Sequence, residues 1–226
     1  YNKFSDMAGA GWAAGYIGYC ANAELVKGYP NGTFQPSGNV TGYEVLAMIL
    51  RAVGYDKNGE FTGADWALNV AKYAEQLGIL KNVAKTTDLS APATRELVSE
   101  LLFRAIQSPM VTYTAAFGYQ NVGLSTADNK FFTANKTLGS EVFGLAKVSG
   151  EISKVSYLDK TTQFTYTEDK KDKTEEVTGV DAGFENIGYE GYVWTVPGAK
   201  KTTAAVSTVY VTGESLGNST NGTAYG

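Results

Sequence analysis

After Trp12, apolar positions recur at helical spacing through Tyr16, Ile17 and Cys20, which predicts a first helix. Leu25 and Val26 close it, and Gly28 stands where a C-terminal cap belongs. The stretch Gly28-Tyr29-Pro30-Asn31-Gly32-Thr33-Phe34-Gln35-Pro36 then reads as a turn, a short extended piece and a helix block. Proline presets φ, Asn-Gly supplies positive φ, and Pro36 cannot continue a helix. Thr41, three positions before Glu44, has the form of a capping box. Val45, Ile49, Ala52 and Val53 mark the buried face of the second helix, which ends at Gly54.

The pattern starts again after a polar linker from Asp56 to Gly63. Trp66 repeats Trp12, and Ile79-Leu80-Lys81 repeats Leu25-Val26-Lys27 at the same offset. One residue shorter, Thr94 repeats Thr41 and Arg104-Ala105 repeats Arg51-Ala52. Such a period describes two helical hairpins that pack on each other because neither buries its apolar face alone. Ser108-Pro109 stops the last helix, and Thr, Gly and aromatic residues take over.

Alternation at Val148, Gly150 and Ile152, at Val155 and Tyr157, and the run Gln163 to Thr167 predict strands. Gly191 to Val196, stopped by Pro197, and Val206 to Thr212 add two more, while the charged run Glu168 to Glu176 reads as a hairpin tip or mobile loop. The expected class is α+β. Repeat one covers 1–55, a divergent repeat two 56–110, a linker 111–136, a small mostly antiparallel β domain, open sheet or barrel, 137–212, and a linker or loop 213–226.

Composition narrows the chemistry. With 226 residues, 43% hydrophobic and 19% charged, the chain is globular in character. A net charge of −4 argues against nucleic acid as partner, and no apolar run is long enough for membrane insertion. The opening Tyr1-Asn2-Lys3-Phe4 does not have the form of a signal peptide, which fits a trimmed exported chain as well. The single Cys20 excludes a disulfide framework and reads as a small buried hydrophobe. The absence of histidine removes Ser-His-Asp catalysis and the common zinc hydrolase sites, so the chain is expected to be no enzyme and to need no cofactor or metal.

Several apparent motifs are decoys. Gly9 to Ala14 imitates a dinucleotide fingerprint without a preceding strand, and the Asn-x-Thr sites at Asn31, Asn39, Asn135, Asn218 and Asn221 suit an Asn/Thr-rich surface. The acidic residues between Glu168 and Glu176 alternate with lysines, which favours a neutralised loop over calcium.

Phe4-Ser5-Asp6, Trp12, Gly-Tyr-Pro-Asn-Gly-Thr-Phe-x-Pro, and Thr41 with Glu44 and Leu50-Arg51-Ala52 together resemble the S-layer homology family. The second repeat keeps Trp66, Leu77-Gly78-Ile79 and Ala93-Thr94-Arg95 but replaces the Gly-Tyr-Pro turn with Asn82 to Thr87. The resemblance implies an extracellular protein of the bacterial cell wall or S-layer. Its repeats would bind secondary cell-wall polysaccharide in grooves built from a motif arginine, the Gly-rich turn and an Asp or Trp of the first helix. Carried over, the glycan-binding candidates are Arg95, Trp12, Asp6, Gly28, Tyr29, Gly32 and Trp66. Gly42 departs from the family, standing where the Thr-Arg-Ala-Glu motif carries arginine.

Each candidate also has a plainer reading. Trp12 and Trp66 at helix starts suit core anchors, and Gly28 and Gly32 suit the turn itself. Arg95 sits where the helix dipole disfavours a cation, so it has no such reason, whereas Arg51 and Arg104 near helix ends do. The readings that stand beside glycan attachment are surface-layer assembly without glycan, including self-association, and an accessory module of an exported polysaccharide-processing enzyme. For the last, Tyr189, Tyr192 and Trp194 would form a platform; alternation puts Tyr192 and Trp194 on one face, which a plain core face would do as well.

Overall fold

The computed structural model describes residues 3–122, 136–196, 202–206 and 208–215, in two compact units that divide after Leu138. Residues 123–135 of the expected linker 111–136, the stop at Pro197 and residues 216–226 of the expected tail 213–226 lie outside the described residues.

In the first unit a 3-10 segment Met7–Ala13 leads into α1 (Ala14–Asn22), followed by α2 (Gly42–Val53), α3 (Trp66–Gln76) and α4 (Arg95–Ile106). The α2 start is a true capping box: Thr41 Oγ1 accepts from the Glu44 amide at 3.3 Å, and Glu44 Oε2 accepts from the Thr41 amide at 2.8 Å. Gly54 closes α2 in the left-handed region. Val45, Leu46, Ile49, Leu50 and Val53 of α2 share one core with Val70 and Ala74 of α3 and Leu101 and Ala105 of α4. Thr94 caps α4 by accepting from the Leu97 amide at 3.1 Å. Thr94→Ala is expected to lower stability by about 1 kcal/mol in urea unfolding.

Two expectations for the first hairpin are corrected. α1 ends at Asn22, so Leu25 and Val26 lie beyond it, their amides turned back onto the Cys20 carbonyl at 2.9 and 3.4 Å. Gly28 is therefore no helix cap. The buried face of α1 is Ile17, Gly18 and Ala21, while Tyr16 points to solvent and Cys20 is half-buried. After α4 the chain forms an unexpected hairpin, β1 (Val111–Thr114) with β2 (Gly118–Asn121), whose Tyr119 packs against Tyr55 and Tyr73.

The second unit starts in α5 (Leu138–Phe143), which the division crosses, and continues as β3 (Ala146–Ser156), β4 (Thr161–Glu168), β5 (Lys171–Thr178), β6 (Tyr189–Val196), β7 (Thr202–Ala204) and β8 (Tyr210–Ser215). The sheet runs β3-β4-β5-β7-β6, and β6 pairs back with β3, so five strands close into a barrel with β8 added on β6. β5 and β7 are parallel; the other pairs are antiparallel. Long β3 serves both halves, pairing with β6 through its first part and with β4 through its second, with a bulge between Ile152 and Lys154. That order is the OB-type Greek-key barrel. Ile152, Val155, Phe164, Val177, Val180 and Val193 fill it.

The charged run is strand rather than mobile loop. Only Asp169 and Lys170, both at positive φ, form the turn, and Lys171 onward pairs with β4, with Thr167 donating to Asp172 at 3.0 Å. Tyr192 and Trp194 share a face as expected. That face is opposite Val193; Trp194 is buried on it, as the core reading expects, while Tyr192 is half-buried.

Candidate functional site

The Gly28–Pro36 turn is fixed by short-range and long-range bonds together. Asn31 Oδ1 accepts from the Thr33 amide at 3.2 Å and its hydroxyl at 2.7 Å, and the Tyr29 amide donates to the Thr33 carbonyl at 2.9 Å. Asp6 holds the far side, its two oxygens accepting from the Phe34 and Gln35 amides at 2.8 and 2.7 Å. The Phe34 amide is the main reason its carboxyl lies below the usual carboxylate value. In this structure Asp6 is committed to the turn. Gly28 is equally structural, since a Cβ there would fall 2.4 Å from the Phe4 ring and 2.7 Å from the Thr33 carbonyl. Gly32 sits at positive φ with open space around it.

Tyr29 leans over α2 and donates from its hydroxyl to Glu44 at 3.2 Å; burial first, and then the Glu44 charge, push its hydroxyl up. From the other side comes Trp66, edge-on to Tyr43 with ring centres 6.1 Å apart and packed against the α2 core. Between them runs a groove of about 350 Å³ lined by Gly28, Tyr29, Glu44, Met48, Arg51 and Trp66, with Lys27 at one end. It joins the first repeat's turn to the second repeat's tryptophan.

Beside the groove, sharing Lys27 and Arg51 with it, lies a charge cluster that sequence reasoning missed. Asp56, its side chain 1% exposed, accepts on one oxygen from Lys27 Nζ and Arg51 Nε, each at 2.7 Å, and on the other from the Phe61 amide at 2.9 Å. Burial pushes its carboxyl up, but the Lys27, Arg51 and Phe61 hydrogen bonds outweigh this and hold it below the ordinary value. Arg51 also donates to the Leu25 carbonyl at 3.2 Å. No local spacing announces this cluster, because Lys27 and Asp56 lie in different repeats. Asp56 opens a polar stretch whose composition reads as linker.

The remaining candidates lie elsewhere. Arg95 is exposed at the first turn of α4, and its side chain makes no hydrogen bond or ion pair among the described residues; it does not line the groove. Trp12 is 87% exposed, edge-on to Tyr16 at 6.0 Å, which overturns its core reading. Trp66 fits the core reading in part, being half-buried while lining the groove. Tyr189, Tyr192 and Trp194 form no open platform, as Trp194 is buried and Tyr192 stacks on Tyr210 at 5.1 Å.

Gly42 has a physical reason. A Cβ there would lie 2.9 Å from Leu89 Cδ2 and 3.1 Å from both Leu89 Cα and its carbonyl oxygen. The α2 start is pressed against this loop, with Tyr43 donating to Leu89 at 3.0 Å and Ala93 to Val40 at 2.8 Å. Gly42→Arg is therefore expected to lower stability by about 1–3 kcal/mol in urea unfolding and to gain no wall binding.

The family model for the S-layer homology domain matches residues 3–46, a span that includes the Gly28–Pro36 turn and the Thr41–Glu44 box and ends before the second repeat. Among curated proteins, the chain is similar to the Middle cell wall protein of Brevibacillus brevis, 31% identical over 106 residues, or 47% of this chain and 10% of that protein. It is also similar to Exoglucanase XynX of Acetivibrio thermocellus, 28% identical over 152 residues, 64% of this chain and 14% of that protein. Cell surface glycoprotein 1 of Acetivibrio thermocellus is 43% identical over 49 residues, 22% of this chain and 2% of that protein. The chain thus spans a small part of the length of the relatives it matches. No solved structure matches it. Residues 3–46 match the S-layer homology domain, and the chain is similar to proteins of the cell wall and cell surface, in keeping with an extracellular, cell-wall-associated location.

Proposed function

We propose that the two repeats attach the chain non-covalently to the secondary polysaccharide of the cell wall, without catalysis. The groove between Tyr29 and Trp66 carries this reading: two aromatic faces for sugar C–H surfaces, a glycine turn that lets backbone approach, and cations at one end. Glu44 is the one carboxylate among its described lining residues and is occupied by the α2 cap, whereas glycoside hydrolysis ordinarily needs two flanking carboxyl groups. Calorimetric titration with acid-extracted wall polysaccharide tests it. Saturable binding that Tyr29→Ala weakens by about tenfold is expected; binding unchanged by that substitution would move the ligand out of the groove. The likeness to an exoglucanase and to an Amylopullulanase supports the same attachment role within a longer polysaccharide-processing protein.

One observation favours assembly as a second reading. Trp12, Tyr16 and Tyr19 form a stripe along the first helical segment, 87%, 70% and 71% exposed. Their counterparts in the second repeat, Trp66, Val70 and Tyr73, pack into the core that contains α2. Residues 7–22 carry no charge, so two such faces meet without repulsion. On this reading a second copy covers the stripe. Sedimentation equilibrium would show dimer for the unaltered chain and monomer for Tyr16→Lys; monomer for both at high concentration would refute it.

A further inference from the structure

Three Asn-Gly steps occur in the chain, at Asn31, Asn58 and Asn221, and the first two lie among the described residues. In such a step the main chain can attack its own side chain, because glycine has no Cβ to hinder the approach of its amide nitrogen to the asparagine Cγ. Both described asparagines are exposed, and both following glycines sit in the left-handed region, Gly32 at φ +79° and Gly59 at φ +75°. Exposure and backbone conformation therefore do not separate the two steps. Their hydrogen bonds do.

At Asn31 the nucleophile is engaged, the Gly32 amide donating to the Tyr29 carbonyl at 2.9 Å. The side chain is engaged as well, Asn31 Oδ1 accepting from the Thr33 amide at 3.2 Å and from its hydroxyl at 2.7 Å. Attack there requires the Gly32 amide to leave its acceptor. At Asn58 the Gly59 amide makes no hydrogen bond among the described residues, and neither does Asn58 Oδ1. That side chain is held only through its nitrogen, Nδ2 donating to Glu60 Oε1 at 3.1 Å. The Asn58 amide donates to the other Glu60 oxygen, also at 3.1 Å.

We propose that Asn58 is a site of spontaneous conversion to aspartate and isoaspartate, and that the fold protects Asn31 from the same reaction. The Gly59 amide nitrogen, its proton passing to hydroxide, bonds to Asn58 Cγ. The bond from Cγ to Nδ2 breaks, and ammonia leaves with a proton taken from water, giving a five-membered imide. Water then opens the imide at either carbonyl. One opening gives an aspartyl residue, and the other an isoaspartyl linkage that adds a methylene to the main chain. Nothing is oxidised or reduced.

Either product sets a carboxylate beside Glu60 in place of the Nδ2 donor. Glu60 also accepts from the Tyr119 hydroxyl at 2.7 Å, and that hydroxyl accepts from the Lys57 amide at 2.8 Å. Conversion thus works against the bonds by which β2 holds the loop at 57–60. None of this depends on what the groove binds.

Peptide mapping of the whole chain, incubated folded and in urea, follows each site by its gain of an acid and by its isoaspartate content. The rate in urea is the intrinsic rate of each step. Folding should slow Asn31 by about fivefold or more, the worth of one amide hydrogen bond, and leave Asn58 within about twofold of its rate in urea. Equal slowing at the two sites, or conversion of Asn31 ahead of Asn58 in the folded chain, overturns the proposal. Asn58→Asp reproduces the new charge without the extra methylene, and its Lys57 amide should exchange with solvent faster than in the parent. Unchanged exchange would overturn the link from conversion to the Tyr119 contact.

Discussion

Asp56→Ala is expected to lower the unfolding free energy by about 3–5 kcal/mol, because it strands two cations that share one buried carboxylate. Arg51 is nearly enclosed, so its charge would lose its partner without gaining full solvation. Lys27 is more exposed and contributes less of the loss. The same carboxylate anchors the Phe61 amide, so the end of the groove would open with it. The pH dependence follows from the sign of the shift. The folded-state carboxyl lies below its ordinary value of 3.8, so its contribution is complete above that value and is lost as pH falls through the depressed one. Asp6, held low mainly by the Phe34 amide, acts in the same direction. Urea unfolding should show stability level near neutrality and falling below about pH 4, with a shallower fall in Asp56→Ala. A variant as stable as the parent at neutral pH would contradict the cluster.

Gly54→Ala is expected to cost about 3 kcal/mol or more, combining left-handed backbone strain with an unrelieved overlap. φ at Gly54 is +119°, and an added Cβ would fall 2.0 Å from the Val111 carbonyl oxygen and 3.0 Å from its carbon. Those atoms are backbone at the start of β1, tied into the hairpin through the Val111–Asn121 pair, so they cannot swing aside as a side chain would. Gly63 supplies the control. It is also at positive φ, +75°, but its Cβ would meet nothing, so Gly63→Ala should cost only about 1 kcal/mol. Equal losses in the two variants, measured by urea unfolding, would show that the approach of Val111 to Gly54 is not tight.

What was legible in the sequence is what depends on neighbours along the chain. The Thr41–Glu44 box and the stop at Gly54 rest on bonds within a few residues, and the inward face at Val45, Ile49 and Val53 shows as a spacing within one helix. α1 misled because it is apolar or small on every side: with no charged residue to mark the wet face, periodicity selects Tyr16 as readily as Ile17. The charged run at 168–176 misled for the opposite reason. Its charges suggest a loop, and only the pairing with β4, invisible locally, makes it a strand.

The candidate site divides in the same way. Gly28, Tyr29 and Trp66 were named through the repeat and its resemblance, and the fold brings them to one groove. Asp56 could not be named, because its partners Lys27 and Arg51 approach it only once the first repeat has folded. Arg95 keeps the feature that singled it out, a cation at a helix start, but stands apart from the groove.

The central claim is that the inter-repeat groove attaches the chain to wall polysaccharide. Its most direct measurement is co-sedimentation of the purified chain with wall sacculi, before and after acid removal of the polysaccharide, with Tyr29→Ala and Arg95→Ala alongside. Retention on intact sacculi, none on stripped ones, a marked loss for Tyr29→Ala and retention unchanged for Arg95→Ala, which stands outside the groove, are expected. Equal retention on intact and stripped sacculi, or none on either, would contradict it.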